Sequence, residues 1–353
     1  MQRIAVCCIF LLTQSAGWLD AQAVLSRRDY AAQGRTWRQL WIANSGTTEF
    51  RQLTHTARDH AEPLCSRDGK LIYFVSDRDG SRSLNAYAGA NDRGLWAFDR
   101  QSGRERLVWQ TSDDDGLHLS GTTADGAVLA VVGTELRSLL RHPWQIGKID
   151  PAYNAASVSP DGRTLAIVIA GSLDKQGQNH DAKLFLVDTA TGRSRVSLGN
   201  YEAHAWSPDG RRIAAFAEDG PVIVDVATRK EIVRVRWPKT DAPPEDLIWS
   251  PDGKYLLAGL YGENGGGGDP QSDYFLLNIA ARNWTPVLTA QKLLWLPDGR
   301  PLLYLRPVAT APLAPGSPHN VWTAQLAAFD LATHKDTALT TGLVLNDELS
   351  SCP

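Results

Sequence analysis

Histidine and acidic side chains are the groups in this sequence that could carry chemistry, and five histidines deserve a test as a set. They are His55, His60, His118, His180 and His204. Imidazole nitrogens bind transition metals and act as acids or bases near neutral pH. No His-x-His pair and no close His/Glu spacing groups these residues along the chain. A metal centre would therefore require the fold to bring them together.

Three further patterns lack the spacing that their chemistry needs. Asp113-Asp114-Asp115-Gly116 lacks the alternating ligands of a calcium loop. The glycine run 265–268 has no following Lys-Ser/Thr pair, so it does not predict a phosphate loop. No Gly-x-Ser-x-Gly nucleophile motif is present. We predict no catalytic residue, no cofactor and no metal ligand.

The elements that must position any site are organised by a short repeated turn. An Asp-Gly pair followed by an apolar run occurs six times, at Asp68-Gly69, Asp125-Gly126, Asp161-Gly162, Asp209-Gly210, Asp252-Gly253 and Asp298-Gly299. Asp tolerates the turn and bonds its own backbone, while Gly adopts positive φ without a Cβ clash. The successive spacings of 57, 36, 48, 43 and 46 residues indicate a repeat architecture.

Two more strand candidates usually lie between consecutive turns, which gives four strands per repeat and predicts a β-propeller. The last residues, through Cys352-Pro353, align with those that precede an Asp-Gly turn elsewhere. We therefore predict an all-β, seven-bladed propeller, with a six-bladed ring as the alternative. In the seventh blade the C-terminal segment supplies the inner strand, and residues 37–42 and 50–54 supply the outer strands.

The first residues read as a secretory signal. Arg3 precedes the apolar run 4–12, and Ala21-Gln22-Ala23 forms a small-residue cleavage site. We expect a signal peptide over 1–23, a lead-in over 24–36 and the propeller over 37–353, in the periplasm or secreted. The apolar run is too short to span a bilayer. A buried N-terminal strand is the alternative interpretation.

Charge and cysteine content narrow the partners and the compartment. The 36 basic and 39 acidic residues give a net charge of −3 and are interspersed, so neither nucleic acid nor an anionic membrane is indicated. A monomer is expected. Cys65 and Cys352 remain after signal removal, and they would lie on the inner strands of adjacent blades. They are candidates for a disulfide that seals the ring, with two unpaired thiols as the alternative.

The pattern Trp206-Ser207-Pro208-Asp209-Gly210, with its copy at Trp249-Ser250-Pro251-Asp252-Gly253, resembles the TolB-type, WD40-like propeller repeat. The resemblance covers the chain from about Trp37 to the C-terminus. It implies the propeller fold, and the family includes periplasmic protein-binding propellers. The chain shows no counterpart of the α/β domain that precedes the propeller in TolB. The resemblance to TolB therefore concerns the propeller repeat alone.

In a propeller the second-to-third-strand loops and the blade-joining loops emerge on one face. We predict a binding face there, formed by His55, Arg58, Asp59, His60, Asp113, Asp114, Asp115, His180, Lys239 and Asp241. Solvated loops without a partner are the alternative for each residue. The predicted function is an exported, non-catalytic module that binds a protein or peptide. The alternatives are a metal-dependent lyase of the oligogalacturonate type and the truncated propeller of a larger protein.

Overall fold

The structure is a computed structural model. It describes residues 22–29, 37–44, 50–77, 93–110, 117–147, 156–169, 172–173, 179–180, 182–193, 196–201, 204–217, 219–238, 244–261, 272–296, 299, 302–312, 320–340 and 344–352. All regular elements within these ranges are β-strands, and no helix there could span a membrane.

Seven four-stranded antiparallel sheets form the blades, numbered from the first complete one. Blade one comprises β4 (His60–Cys65), β5 (Leu71–Asp77), β6 (Arg93–Asp99) and β7 (Glu105–Gln110). Blade two comprises β8 (Leu117–Thr122), β9 (Val128–Val132), β10 (Glu135–Leu139) and β11 (Gln145–Ile146). Blade three comprises β12 (Ala156–Val158), β13 (Thr164–Ile169), β16 (Lys183–Asp188) and β17 (Val196–Gly199), with the small hairpin β14 (Ser172–Leu173) and β15 (Asn179–His180) inserted.

The next three blades repeat the same order. Blade four comprises β18 (His204–Trp206), β19 (Arg212–Ala217), β20 (Gly220–Asp225) and β21 (Lys230–Arg234). Blade five comprises β22 (Pro244–Trp249), β23 (Tyr255–Tyr261), β24 (Ser272–Asn278) and β25 (Asn283–Ala290). Blade six comprises β26 (Lys292–Trp295), β27 (Leu302–Pro312), β28 (Asn320–Asp330) and β29 (Lys335–Ala338).

The seventh blade joins the two ends of the chain. Its strand order is β30 (Val344–Cys352), β1 (Gln22–Asp29), β2 (Gln39–Asn44) and β3 (Phe50–Gln52). The prediction of a seven-bladed ring closed by N- and C-terminal strands is therefore confirmed. Closure gives every blade a neighbour on both sides, and the strand edges that remain are short and protected.

The structure places Gln22–Asp29 in the second strand of blade seven, across the predicted boundary between signal peptide and lead-in. Val24 and Leu25 are fully buried, and β1 pairs with β2 on one side and β30 on the other. Sequence inspection gave blade seven only three strands, and β1 is the missing fourth. The expected mature start near Val24 falls inside this strand.

Three junctions between neighbouring blades are linked through the residue at the end of a first strand. In blade four the indole of Trp206 donates to the Ser157 carbonyl of blade three at 3.1 Å. In blade five Trp249 donates to the Ala205 carbonyl of blade four at 2.9 Å. In blade one this position is Cys65, which the structure joins to Cys352 of blade seven with the Cα atoms 5.3 Å apart. A disulfide thus replaces the indole link where the chain ends meet.

The Asp-Gly turns are hydrogen-bonded within themselves. Ser207 donates to the Asp209 carboxylate at 2.6 Å, the same carboxylate accepts from the backbone N–H of Arg211 at 3.1 Å, and Gly210 has φ +67°. Blades one, three and five repeat both bonds. Asp298 lies outside the described residues. The conformation of these turns is therefore stabilised by hydrogen bonds within each turn.

Gly162 gives a direct test of packing between these turns. Its φ is +76°, and a Cβ there would lie 2.5 Å from the backbone nitrogen of Ala124, which donates to the Gly162 carbonyl. Gly126 has φ +85° with nothing within 4 Å of its Cβ position. In urea denaturation, Gly126→Ala should cost about 1 kcal/mol for the left-handed backbone alone. Gly162→Ala should cost about 3 kcal/mol, because backbone atoms must also move. Equal losses would show that the turns do not contact each other in solution.

Candidate functional site

Because the strands of each blade are antiparallel, successive connections alternate between the two faces of the propeller. The turns after the first and third strands lie on one side, here called the turn face. The connections after the second strand and those between blades lie on the other, here called the loop face. On the loop face β9 ends at Val132 and β10 starts at Glu135, whereas 15 residues separate β5 from β6. Long connections also follow β13 and β23, so the connections of the loop face differ more in length than those of the turn face.

A projecting hairpin is the largest described feature of the loop face. β27 and β28 have 11 residues each, compared with 7 in β23 and β24 of blade five. Their pairing continues from Leu302↔Phe329 to Pro312↔Asn320, with a register shift between Pro307 and Ala309. Blade three adds the short β14–β15 hairpin. Both belong to connections of the loop face.

The residues predicted for the binding face have different environments. His55 is exposed, and Arg58 is partly buried, with its guanidinium 4.0 Å from the ring centroid of Trp96. His180 belongs to β15. Asp113, Asp114, Asp115, Lys239 and Asp241 lie outside the described residues.

Asp59 and His60 lie in the interior, so neither offers its side chain to a partner. Asp59 accepts from the Arg38 backbone N–H at 2.7 Å. His60 is fully buried, with Nε2 2.8 Å from the Thr56 hydroxyl and Nδ1 3.1 Å from that of Ser76. Burial, and then the nearby arginine charges, lowers the pKa of His60 to about 3. These two residues fix the segment that enters blade one.

His204 is likewise a core residue. Its Nε2 lies 2.7 Å from the Ser157 hydroxyl of the preceding blade, and burial lowers its pKa to about 4. The histidines considered for a metal site are therefore dispersed, with two of them in separate blade interfaces. Within the ranges that the structure describes, no group of three His, Cys, Asp or Glu residues is placed to hold a metal ion.

The first strands of the seven blades surround the central channel. Each contacts the first strand of the next blade, in the order β4, β8, β12, β18, β22, β26, β30 and back to β4. Their first residues lie at the loop-face end, here called the channel mouth. Side chains at this level are therefore close to any partner that covers the loop face.

A glutamate–histidine pair is fixed at the channel mouth between blades one and two. Glu62 Oε1 lies 2.7 Å from Nδ1 of His118, and Oε2 accepts from the backbone N–H of Leu119 at 2.7 Å. Glu62 has φ +52°, although it is not glycine, and β4 shifts register around it. The side chain of His118 is 53% exposed and that of Glu62 is 20% exposed. The Glu62 carboxylate therefore joins blade one to blade two through two hydrogen bonds, and solvent reaches the pair.

Two more charged residues lie at the same level of the channel. They are Asp246 in blade five and Lys292 in blade six, which occupy the same position in their first strands as His118 does in blade two. The equivalence follows from the register, because the second-strand partner of each lies three residues after the partner of the last residue of that first strand. Asp246 accepts from the Tyr274 hydroxyl at 2.9 Å, and Lys292 is exposed. Sequence analysis missed Glu62 and Asp246. Register within the first strands could have identified them, but it depends on bulges that the sequence does not mark.

Comparisons with known proteins identify the fold. No protein-family model and no curated protein sequence matches this chain. TolB from Acinetobacter baumannii aligns with 94% of this chain and 67% of its own, at 13% identity and a TM-score of 0.54. The periplasmic gluconolactonase of Pseudomonas aeruginosa aligns with 94% of this chain and 99% of its own, at 15% identity and a TM-score of 0.53.

A third similar structure is an oligogalacturonate lyase in complex with manganese. It aligns with 88% of this chain and 92% of its own, at 13% identity and a TM-score of 0.54. At such identities the likeness concerns the fold alone, and this fold serves proteins with different activities. The resemblance to the TolB-type propeller is thus confirmed as a resemblance of fold.

Proposed function

We propose that this chain is an exported propeller that binds a protein or peptide through its loop face. The observation that carries the proposal is the contrast between the two faces. The described turns of the turn face are short and internally bonded, whereas the loop face carries the projecting β27–β28 hairpin and insertions of unequal length. Irregular segments on a rigid scaffold are where binding function concentrates in proteins.

The proposed exported location rests on three observations. The N-terminal sequence has the order of a secretory signal, and a gluconolactonase of similar fold is periplasmic. Cys65 and Cys352 are joined in the structure, and disulfides persist in oxidising compartments. We therefore propose the periplasm or the extracellular medium as the place where the partner is met.

The proposal predicts that shortening the projecting hairpin removes partner binding without unfolding the ring. Replacing residues 308–323 with Asn-Gly would close β27 and β28 near the Pro307↔Ala324 pair, at the length of the other blades. We expect cross-linking of the immobilised protein to exported proteins of its source cell to yield a specific partner. The shortened variant should lose at least tenfold of that capture while its thermal midpoint stays near that of the wild type.

The matched control changes the turn face. Arg163 is exposed beside the Asp161 turn, and Arg163→Ala leaves the backbone bonds of that turn in place. Capture by Arg163→Ala should equal that by the wild type. Equal capture by the shortened hairpin variant, or loss of capture only with Arg163→Ala, would contradict a loop-face partner.

A further inference from the structure

The turns between the third and fourth strands of three consecutive blades carry a basic residue at a position that favours glycine. In blades one and three this position is Gly103 and Gly192, with φ of +70° and +66°. In blades four, five and six it is Arg229, Arg282 and His334, with φ of +60°, +54° and +55°. A left-handed backbone is costly for a residue that has a Cβ, and such costs concentrate at functional positions.

One backbone hydrogen bond shows that these positions are equivalent. The N–H of the left-handed residue donates to the carbonyl four residues earlier, from Gly103 to Asp99 at 2.8 Å and from Arg229 to Asp225 at 2.7 Å. Arg282 forms the same bond at 2.8 Å. Because glycine forms this turn with the same bond, the turn itself does not require arginine. The two arginines therefore need an explanation outside the turn.

The basic residues of blades four and five lie on neighbouring turns. The Val226 N–H donates to the Arg211 carbonyl at 2.9 Å, which places the two turns of blade four side by side, and Ile279 and Lys254 form the same link in blade five at 3.2 Å. Together with their flanking residues, these turns carry three carboxylates and six cations, which are Arg211, Arg212, Arg229, Lys230, Lys254 and Arg282. This region is therefore positive in a chain whose net charge is −3.

The carboxylates of the region are bonded within their own turns, whereas two guanidinium groups are open to a partner. Asp225 accepts from the N–H and the hydroxyl of Thr228, both at 2.7 Å, and Asp252 accepts from the serine of its turn at 2.7 Å. Arg229 and Arg282 are exposed, and within the described ranges neither side chain forms a hydrogen bond or ion pair. A guanidinium binds a carboxylate through two parallel hydrogen bonds.

From these observations we infer that the turns of blades four, five and six, here called the basic arc, dock an acidic segment of a second protein. Carboxylates of that segment pair with Arg229 and Arg282, and His334 continues the arc into blade six. A membrane of anionic lipids fits less well, because its uniformly negative surface would also face the carboxylates of the same turns. The basic arc lies on the turn face, so this inference does not depend on the loop-face partner.

The test uses peptides in place of the acidic protein. A fluorescent peptide of alternating Glu and Gly would be titrated with the full chain and followed by anisotropy, and a peptide of alternating Gln and Gly is the uncharged match. We expect saturable binding of the Glu peptide that weakens with added salt, and at least tenfold weaker binding of the Gln peptide. Equal binding of the two peptides, or binding only to vesicles of phosphatidylcholine and phosphatidylglycerol, would overturn the inference.

Three variants connect the probe to the arc. Arg229→Gly with Arg282→Gly should weaken binding of the Glu peptide at least tenfold and raise the urea midpoint, because glycine relieves the left-handed backbone. Arg229→Lys with Arg282→Lys keeps the charges and should retain most of the binding. Arg104→Gln removes an exposed cation from the corresponding turn of blade one and should leave binding within twofold. Binding of the double glycine variant at the wild-type level would contradict the arc.

The shortened hairpin variant separates this inference from the proposed function. It should bind the Glu peptide as the wild type does, while the double glycine variant should still capture the loop-face partner. If the hairpin variant loses the Glu peptide, the acidic segment binds the loop face and the basic arc is wrong. If only the double glycine variant loses the captured partner, the arc stands and the loop-face proposal is wrong.

Discussion

Removing the Cys65–Cys352 disulfide should lower the free energy of unfolding by about 5 kcal/mol, on the chain-entropy account of a cross-link that closes nearly the whole chain. The two cysteines are 287 residues apart in sequence. Their Cα atoms are 5.3 Å apart, within the usual range, and both residues are buried among Val24, Ile72 and Phe98. The bond joins blade one to the strand that completes blade seven.

The measurement is urea denaturation of the double variant Cys65→Ala with Cys352→Ala, compared with the wild type before and after reduction. Alanine avoids burying a new hydroxyl group at either position. Trp249→Phe is the matched control, since it removes the equivalent non-covalent link and should cost about 1–2 kcal/mol through one lost hydrogen bond and a small loss of volume. A double variant that unfolds at the same urea concentration as the oxidised wild type would show that pairing of β1 with β30 closes the ring unaided.

The architecture could be predicted because its signals are local. An Asp-Gly turn and the strand after it lie within about ten residues, and a spacing near 46 residues counts the blades. β1 was missed for the opposite reason. Its partner β30 is more than 300 residues away, and its first two residues belong to the region taken for a signal peptide. Pairing over such a distance leaves no periodic trace in the sequence.

The candidate site was predicted less well, for a physical reason that Asp59 and His60 illustrate. Polar residues in a blade-joining segment were expected to face solvent, but these two bond to Arg38, Thr56 and Ser76 within the protein. A buried polar group is stable when such partners are present, and its own residue type does not reveal them. Glu62 illustrates the converse, because it has a positive φ and its carboxylate bonds to His118 of blade two, neither of which its residue type reveals.

Acidification from pH 7.5 to 5 should destabilise the fold through two histidines that the structure keeps neutral. The pKa of His60 is lowered to about 3 and that of His204 to about 4, in both cases chiefly by burial. Well above pH 6.5 both rings are neutral in the folded and unfolded states, so they add no pH dependence there. As the pH falls, the unfolded chain takes up these protons near pH 6.5, while the folded protein takes them up only near pH 3 to 4. Stability therefore falls by about 1.4 kcal/mol per pH unit for each ring.

Urea denaturation at half-unit steps between pH 7.5 and 5 would measure this slope. The turn carboxylates do not contribute in that window, because hydrogen bonds from Ser66 and Ser159 lower the pKa values of Asp68 and Asp161 from an already acidic value. His60→Gln and His204→Gln should each remove about half of the slope, even if they lower stability at pH 7.5. His142→Gln, at a solvent-exposed ring, supplies the background. Slopes that match the wild type in both buried variants would contradict neutral, buried histidines.

Loss of the disulfide and protonation of His60 both act on the junction of blades seven and one, since His60 and Cys65 both belong to β4. Protonation of His60 would place a buried charge at one end of β4, while the disulfide holds the other end to β30. In the double cysteine variant the acid effect should therefore open this junction before the remaining blades. Hydrogen exchange at pH 5 would then be faster in β4 and β30 than in β19 of blade four. Uniform exchange across the ring would show that acid unfolds all blades as one unit.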